Sequence, residues 1–357
     1  MKRFAIIGGG WRSEFYLRVA KARPDLFEIT GLVMRNPEKG RIMSERWGLP
    51  VYQSLDELLR DARPDFVVTS VSRLASSEKI MECVAAGLPV LAETPPAVDL
   101  DSMVELYNRV AAAEGRVQVA EQYWLQPHQA ARLEAVRRGL LGNVSHVQIS
   151  VAHGYHGVSV IRRYLGIGFE NATISARSFV SPIVAGPGRG GLPPAEMTRD
   201  QKQSLAWLDF GDGRTAVFDF ANSQYFGWIR SERVLVRGER GELANNELRW
   251  LPVWNKPARA ALVRQATGAG SDLEGYHLKG YTLGGDWLYE NPLVPARLSD
   301  DEIAVGSCLL RMAEYVAGGK SFYPLGEACQ DHYLGILIDE AATSKREVAS
   351  ETAVWAQ

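Results

Sequence analysis

The sequence predicts an α/β fold in two parts: a doubly wound parallel α/β domain, then an α+β domain with an open, mostly antiparallel sheet. Three observations predict it. Up to residue 120, short apolar runs alternate with helical segments at the lengths of strand–helix–strand units. The first run, Ala5-Ile6-Ile7, breaks into Gly8-Gly9-Gly10 just before a helical segment. Beyond residue 144, strand-like runs succeed one another without helices, and Gly211-Asp212-Gly213 makes an antiparallel hairpin between two of them. A chain of 357 residues, 46% hydrophobic, suffices for two domains. The expected boundary is Tyr123, giving domains 1–123 and 124–357.

Taken in order, residues 5–7 read as a buried strand and 14–22 as the first helix. Residues 29–34 form the second strand, and Gly48-Leu49-Pro50-Val51-Tyr52 a brief third. Ser54 and Glu57 make a capping box that opens a helix over 55–61. The nearly continuous apolar run 65–71 suits a strand covered on both faces. A helix over 77–86 ends at Gly87, the next strand is 89–93, a helix covers 101–113, and a sixth strand covers 116–120. In the second half the strands are 144–152, 173–180, 204–210, 215–221 and 233–236. The Gly- and Pro-rich stretch 184–194 reads as a mobile loop. Ser299 and Glu302 form a second capping box, and the last helix runs over 325–343.

Composition excludes several classes. A formal charge of −2 argues against nucleic acid as a partner. Cys83, Cys308 and Cys329 lie far apart with no C-x-x-C pair, so neither a disulfide framework nor a structural zinc site is expected, and a reducing cytoplasm fits. The opening MKRFAII is too short for a signal-peptide core, and no apolar run reaches the roughly 18 residues that span a bilayer.

The glycine turn carries the first functional expectation. Gly8 and Gly10 meet two positions of G-x-G-x-x-G, with Ser13 at the third; a helix opening behind such a turn suits a pyrophosphate. Trp11 flanks this turn and Arg12 is placed to contact the pyrophosphate. The second strand ends Val33-Met34-Arg35, with no acid for the ribose hydroxyls; Arg35 favours a 2′-phosphate, hence NADP over NAD.

Several motifs occur in one order: AIIGGGWRS (5–13), AAGLPVLAETPPAV (85–98), AEQYWLQP (120–127), VRRGLLGNVSHVQIS (136–150), HGYHGVSVIRRYLG (153–166) and the ending YPLGEACQDHYLGILIDEAATSKREV (323–348). Together they resemble the glucose-fructose oxidoreductase / inositol dehydrogenase / MocA (Gfo/Idh/MocA) family. The resemblance implies a Rossmann domain holding a nicotinamide dinucleotide, NAD(P). It implies a sugar, polyol or related alcohol lying between the nicotinamide and the antiparallel sheet. It also implies homodimers or homotetramers formed through the open sheet face. The family's Glu-Lys-Pro reads Glu93-Thr94-Pro95 here, and a threonine orients an oxygen without titrating near neutral pH. In the family's Asp-x-x-x-His, His156 matches the histidine while Ala152 replaces the aspartate.

His156 is therefore the expected proton-handling residue, since an imidazole titrates near neutrality. His153, three residues earlier, is a substrate-binding candidate or a hydrogen-bonded structural histidine. No third ligand accompanies the two, so no metal is expected. Gln122 and Tyr123, where the chain leaves the first domain, are candidates for substrate binding and catalysis; packing between domains is the alternative. Arg163 is a candidate for a substrate carboxylate or phosphate, and Lys279 for the missing cation if segment 275–285 folds over the site. The expected activity is hydride transfer on a sugar-like alcohol or carbonyl compound. Two alternatives stay open: a non-catalytic dinucleotide- or ligand-binding homologue, and a lyase or glycosidase using tightly bound NAD transiently.

Overall fold

The computed structural model describes residues 1–356, and the chain divides into two compact units. The first takes Met1–Pro127, Arg264–Gly280 and Glu290–Cys329; the second takes His128–Val263, Tyr281–Tyr289 and the residues from 330 onward. Where the sequence suggests one cut near Tyr123, the chain returns twice to the first unit.

The first unit opens with β1 (Lys2–Ile7), α1 (Ser13–Ala22), β2 (Phe27–Val33), α2 (Pro37–Trp47), β3 (Val51–Tyr52) and α3 (Leu55–Asp61). It continues with β4 (Phe66–Thr69), α4 (Arg73–Ala85), β5 (Val90–Ala92), α5 (Leu100–Ala112) and β6 (Val117–Val119). All six strands pair in parallel in the order β3-β2-β1-β4-β5-β6. The order reverses between β1 and β4, the switch point outside whose strand ends ligands bind in open α/β sheets. Every residue of β4 and β5 is buried, as helices on both faces require. Phe4 stacks on Phe66 with ring centroids 5.4 Å apart, centring the core. Helix α2 falls where the sequence reading has no element. Its signals were present: the Asn36 side chain accepts from the Lys39 N–H, and Pro37 occupies the first turn.

The later elements are α6 (Pro127–Arg137), β7 (Val144–Ser150), α7 (Gly154–Leu165), β8 (Thr173–Val184), β9 (Thr198–Asp209), β10 (Thr215–Ala221) and β11 (Arg233–Gly238). They continue as β12 (Gly241–Ala244), β13 (Glu247–Val253), β14 (Lys256–Ala266), β15 (Leu278–Leu283) and β16 (Asp286–Glu290). The chain closes with α8 (Asp300–Val316), α9 (Leu325–Ser344) and β17 (Val348–Ala349). An eleven-stranded sheet runs β16-β15-β14-β13-β12-β11-β7-β10-β9-β8-β17. β7 and β10 pair in parallel, whereas β8–β9, β9–β10 and β7–β11 are antiparallel.

Alternation gives this sheet two unlike faces. Ile174, Ala176, Ala206, Leu208, Ala216 and Phe218 are buried on one; Leu205 and Trp207 stand on the other, 39% and 46% exposed. Helix α7 lies close against the buried face, because a Cβ at Gly157 would come within 2.5 Å of the Phe218 ring. Residues 185–194 form the loop expected between β8, which ends at Val184, and β9, and within it Gly188 and Gly191 exchange backbone hydrogen bonds in a tight turn. Strands β12–β16 have no counterpart in the sequence reading. Strand β14 shows why: only Leu262 is buried, and the exposed but apolar Ala261 and Val263 blur the alternation of Ala258, Ala260 and Leu262.

Candidate functional site

The glycine turn joins β1 to α1 in the first unit. Gly8 has φ +113°, and a Cβ there would collide with the Ser70 carbonyl oxygen at the end of β4, so only glycine fits. At Gly10 an added Cβ would meet no atom within 4 Å apart from its chain neighbours Gly9 and Trp11; beyond them there is open space above this backbone. The Trp11 ring lies edge-on to Phe15, with centroids 4.6 Å apart. Ser13, at the third glycine position, is fully buried, and its hydroxyl donates to Ser70 Oγ at 3.1 Å. A small residue with a satisfied hydroxyl thus keeps α1 close to β4. No side chain caps α1, so its N-terminal dipole faces the turn. Space at Gly10, a turn only glycine can make, and an uncapped helix fit a dinucleotide pyrophosphate.

Arg12 is engaged inside the first unit. Its Nη1 reaches Asp301 Oδ2 at 3.3 Å, its Nε lies 3.9 Å from Glu93 Oε2, and its guanidinium covers the Phe15 ring at 4.7 Å. With the Gln122 amide oriented by its hydrogen bonds, Oε1 accepts from Arg12 Nη2 at 3.0 Å and Nε2 donates to Ala120 O at 2.8 Å. On the other side of Glu93, the buried Tyr16 hydroxyl donates to Oε1 at 2.5 Å. Burial raises the Glu93 carboxyl pKa above its ordinary value, even against Arg12 and the Tyr16 hydrogen bond. Burial works to lower the Arg12 pKa, but Glu93 and Asp301 hold it above the usual arginine value. Burial, then Glu93, push the Tyr16 phenol well up, so it remains a donor. An arginine shared by two carboxylates has less charge to offer a diphosphate than the sequence suggests.

Thr94 follows Glu93 in a cis peptide with Pro95, half-buried, its backbone N–H donating to the Glu93 carboxylate. Tyr123 is buried, and its N–H donates to Glu121 Oε1 at 3.0 Å. Arg35 is exposed just past β2. Lys279 does not supply a cation to this group, because its ammonium pairs with Glu274 at 2.8 Å.

The histidines belong to the second unit. His153 is the N-cap of α7 and His156 lies in its first turn, 5% exposed. Their ring centroids are 5.1 Å apart, and the Tyr155 ring lies tilted against His156 with centroids 4.4 Å apart. Tyr225 Oη accepts from the His153 backbone N–H at 3.0 Å and meets His153 Nδ1 at 2.5 Å. His153 keeps solvent contact, yet the crowding around its ring, His156 and Arg189 together hold its pKa well below the ordinary value. Ala152 is fully buried beside them. Arg163 is half-buried in the last turn of α7; its neighbour Arg162 is buried and pairs with Asp331 at 2.6 Å. No group of three or more His, Cys, Asp or Glu among the described residues could hold a metal ion.

Residues 2–121 match the Gfo/Idh/MocA family model, described as an oxidoreductase family with an NAD-binding Rossmann fold. That segment, about a third of the chain, is similar to the Gfo/Idh/MocA family. Dehydrogenase aclE of Aspergillus oryzae is 31% identical over 121 residues, 33% of this chain and 33% of aclE. The chain spans roughly a third of the length of the curated relatives it matches. Solved structures share the fold over nearly the whole chain. A myo-inositol dehydrogenase from Corynebacterium glutamicum aligns with TM-score 0.68 at 17% identity, covering 99% of this chain and 100% of that one. Levoglucosan dehydrogenase, solved with NADH and levoglucosan, aligns with TM-score 0.69 at 14% identity, covering 98% and 99%.

Proposed function

We propose that the protein is an NAD(P)-dependent oxidoreductase that transfers hydride to or from a sugar, polyol or related alcohol or carbonyl compound. The observation that carries this reading is the turn at the switch point, with open space at Gly10 and an uncapped α1. The Gly8–Gly10 backbone and the start of α1 would hold the pyrophosphate; Arg35, at the end of β2, favours the 2′-phosphate of NADP. When bound, the dinucleotide supplies or accepts the hydride. His156 gives or takes the proton of the substrate's reacting oxygen, Thr94 orients that oxygen by hydrogen bonding, and Tyr123 contributes a further donor. The family-model match over residues 2–121 and the sugar and polyol dehydrogenases sharing the fold support the substrate class. The exposed Leu205 and Trp207 support a homodimer or homotetramer through the open sheet. Three buried, unbridged cysteines support a reducing cytoplasmic location. No helix of the described residues is long and apolar enough to cross a membrane.

Calorimetry with NAD and NADP, oxidised and reduced, tests the reading. Wild type is expected to bind at least one form, and Gly10→Val to lose at least about tenfold in affinity at unchanged thermal stability, since its side chain enters ligand space. No heat with any of the four dismisses the proposal. Binding without turnover on a polyol, sugar and keto-sugar panel instead favours a non-catalytic homologue, a reading that Thr94 and Ala152 support. Substrate cleavage without net cofactor reduction favours the lyase or glycosidase.

A further inference from the structure

Helix α6 carries two buried polar side chains in the second unit, Gln129 and Arg132, 0% and 6% exposed. Three positions apart, they share one face of the helix. Arg132 uses one edge of its guanidinium: Nε donates to Asn245 O at 2.9 Å and Nη2 to Asn246 Oδ1 at 3.0 Å, in the turn between β12 and β13. Nη1, on the other edge, has no acceptor among the described residues. Gln129 Oε1 accepts the Tyr164 hydroxyl at 2.7 Å, and its Nε2 likewise finds no acceptor among them. Each of the two nitrogens carries two N–H donors. The buried Tyr164 phenol, on α7, ties them together. It bonds Gln129 directly, and Arg132 acts on it from the other side chain, opposing the rise in pKa that burial causes. The phenol oxygen can accept at most two of the four N–H groups.

What this cluster lacks is negative charge. Both acceptors of Arg132 are neutral amide oxygens, and a buried guanidinium held by neutral groups keeps much of the cost of leaving water. The acid whose charge reaches Tyr164 is Glu232, which is exposed and hydrogen-bonds with His128 at 3.2 Å. A water molecule would accept two of the donors and leave the cation uncompensated. An anion accepts them and neutralises it as well. The burial of Gln129, Arg132 and Tyr164 restricts that anion to a small one.

We propose that Gln129 Nε2 and Arg132 Nη1, beside the Tyr164 phenol, form a binding site for a small monovalent anion of halide size, which ties α6 to α7 and to the β12–β13 turn. Helix α7 carries His153 and His156 at its start and Tyr164 near its end, so the ion holds that helix from the end away from the histidines. The site lies within the second unit and requires neither dinucleotide nor turnover.

Two measurements on the intact protein, without dinucleotide, test it. The first compares thermal unfolding in sodium chloride with unfolding in sodium methanesulfonate at equal ionic strength, whose anion is too bulky for so buried a site. The midpoint is expected to be about 2 °C or more higher in chloride and to level off as the site fills. Arg132→Met should abolish this rise and Gln129→Leu should lose at least half of it. The second measurement is diffraction from wild-type crystals grown in sodium bromide, which decides the matter even if a variant fails to fold. An anomalous peak is expected within hydrogen-bonding distance of both nitrogens. No anomalous signal there, with or without a water, would overturn the proposal. So would a chloride rise unchanged in both variants, or a bromide peak with no chloride dependence in solution, which would make it an adventitious ion only.

Discussion

Gly8 and Gly10 stand in the same turn and are glycines for different reasons. Gly8 is required by the protein itself, because φ +113° and the Ser70 carbonyl exclude any side chain. Gly8→Ala should therefore cost more than about 3 kcal/mol or prevent folding, measured by urea unfolding. Gly10 is required by nothing in the protein, which is why Gly10→Val separates ligand space from stability. The Arg12 network makes a second prediction at this scale. Removing the cation leaves Glu93 and Asp301 facing each other, so Arg12→Met should cost about 2 kcal/mol. Glu93→Gln in the same chain should restore about 1 kcal/mol or more, the coupling a double-mutant cycle reads from unfolding midpoints. Additive effects would mean that the pair contributes nothing. Half of this network was legible in the sequence and half was not. Glu93, Gln122 and Arg12 each sit in a motif, whereas Asp301 meets Arg12 across 289 residues and Tyr16 reads as an ordinary helical apolar position.

Among the elements, α7 carries the histidines, and its seat on the sheet depends on one missing side chain. Gly157→Ala would put a methyl 2.5 Å from the Phe218 ring and 2.8 Å from the Ala152 carbonyl oxygen. A destabilisation of about 1–3 kcal/mol is expected. Changed His153 and His156 ring signals should accompany it, and unaltered spectra would show that the helix does not need this close approach. Element recognition from sequence tracked the strength of the local period. The buried parallel strands and the Ser299–Glu302 box stood out, and the box forms as expected, both members satisfied. The Ser54 box forms differently: Ser54 accepts from the Glu57 N–H, but the Glu57 carboxylate reaches back to the Gln53 N–H rather than that of Ser54. Strands such as β14, with one buried residue and apolar side chains on both faces, left a blurred pattern.

For the molecule as a whole, the eleven-stranded sheet leaves Leu205 and Trp207 on its open face. Light scattering should find a dimer or tetramer in solution, with Leu205→Glu/Trp207→Glu shifting it toward monomer while each chain keeps its melting cooperativity. An unchanged assembly would put the interface elsewhere. The alternation of strands and helices up to β6, the glycine turn and the closeness of His153 to His156 were set by local chemistry: apolar period, caps and spacing act over a few residues and leave their mark in the chain. The partners of those residues were decided only by folding. Asp301 reaches Arg12 from a segment that returns to the first unit, and Tyr225 reaches His153 across 72 residues. A hydrogen bond between distant segments depends on where the backbone brings them, and no residue type or spacing near either end records that.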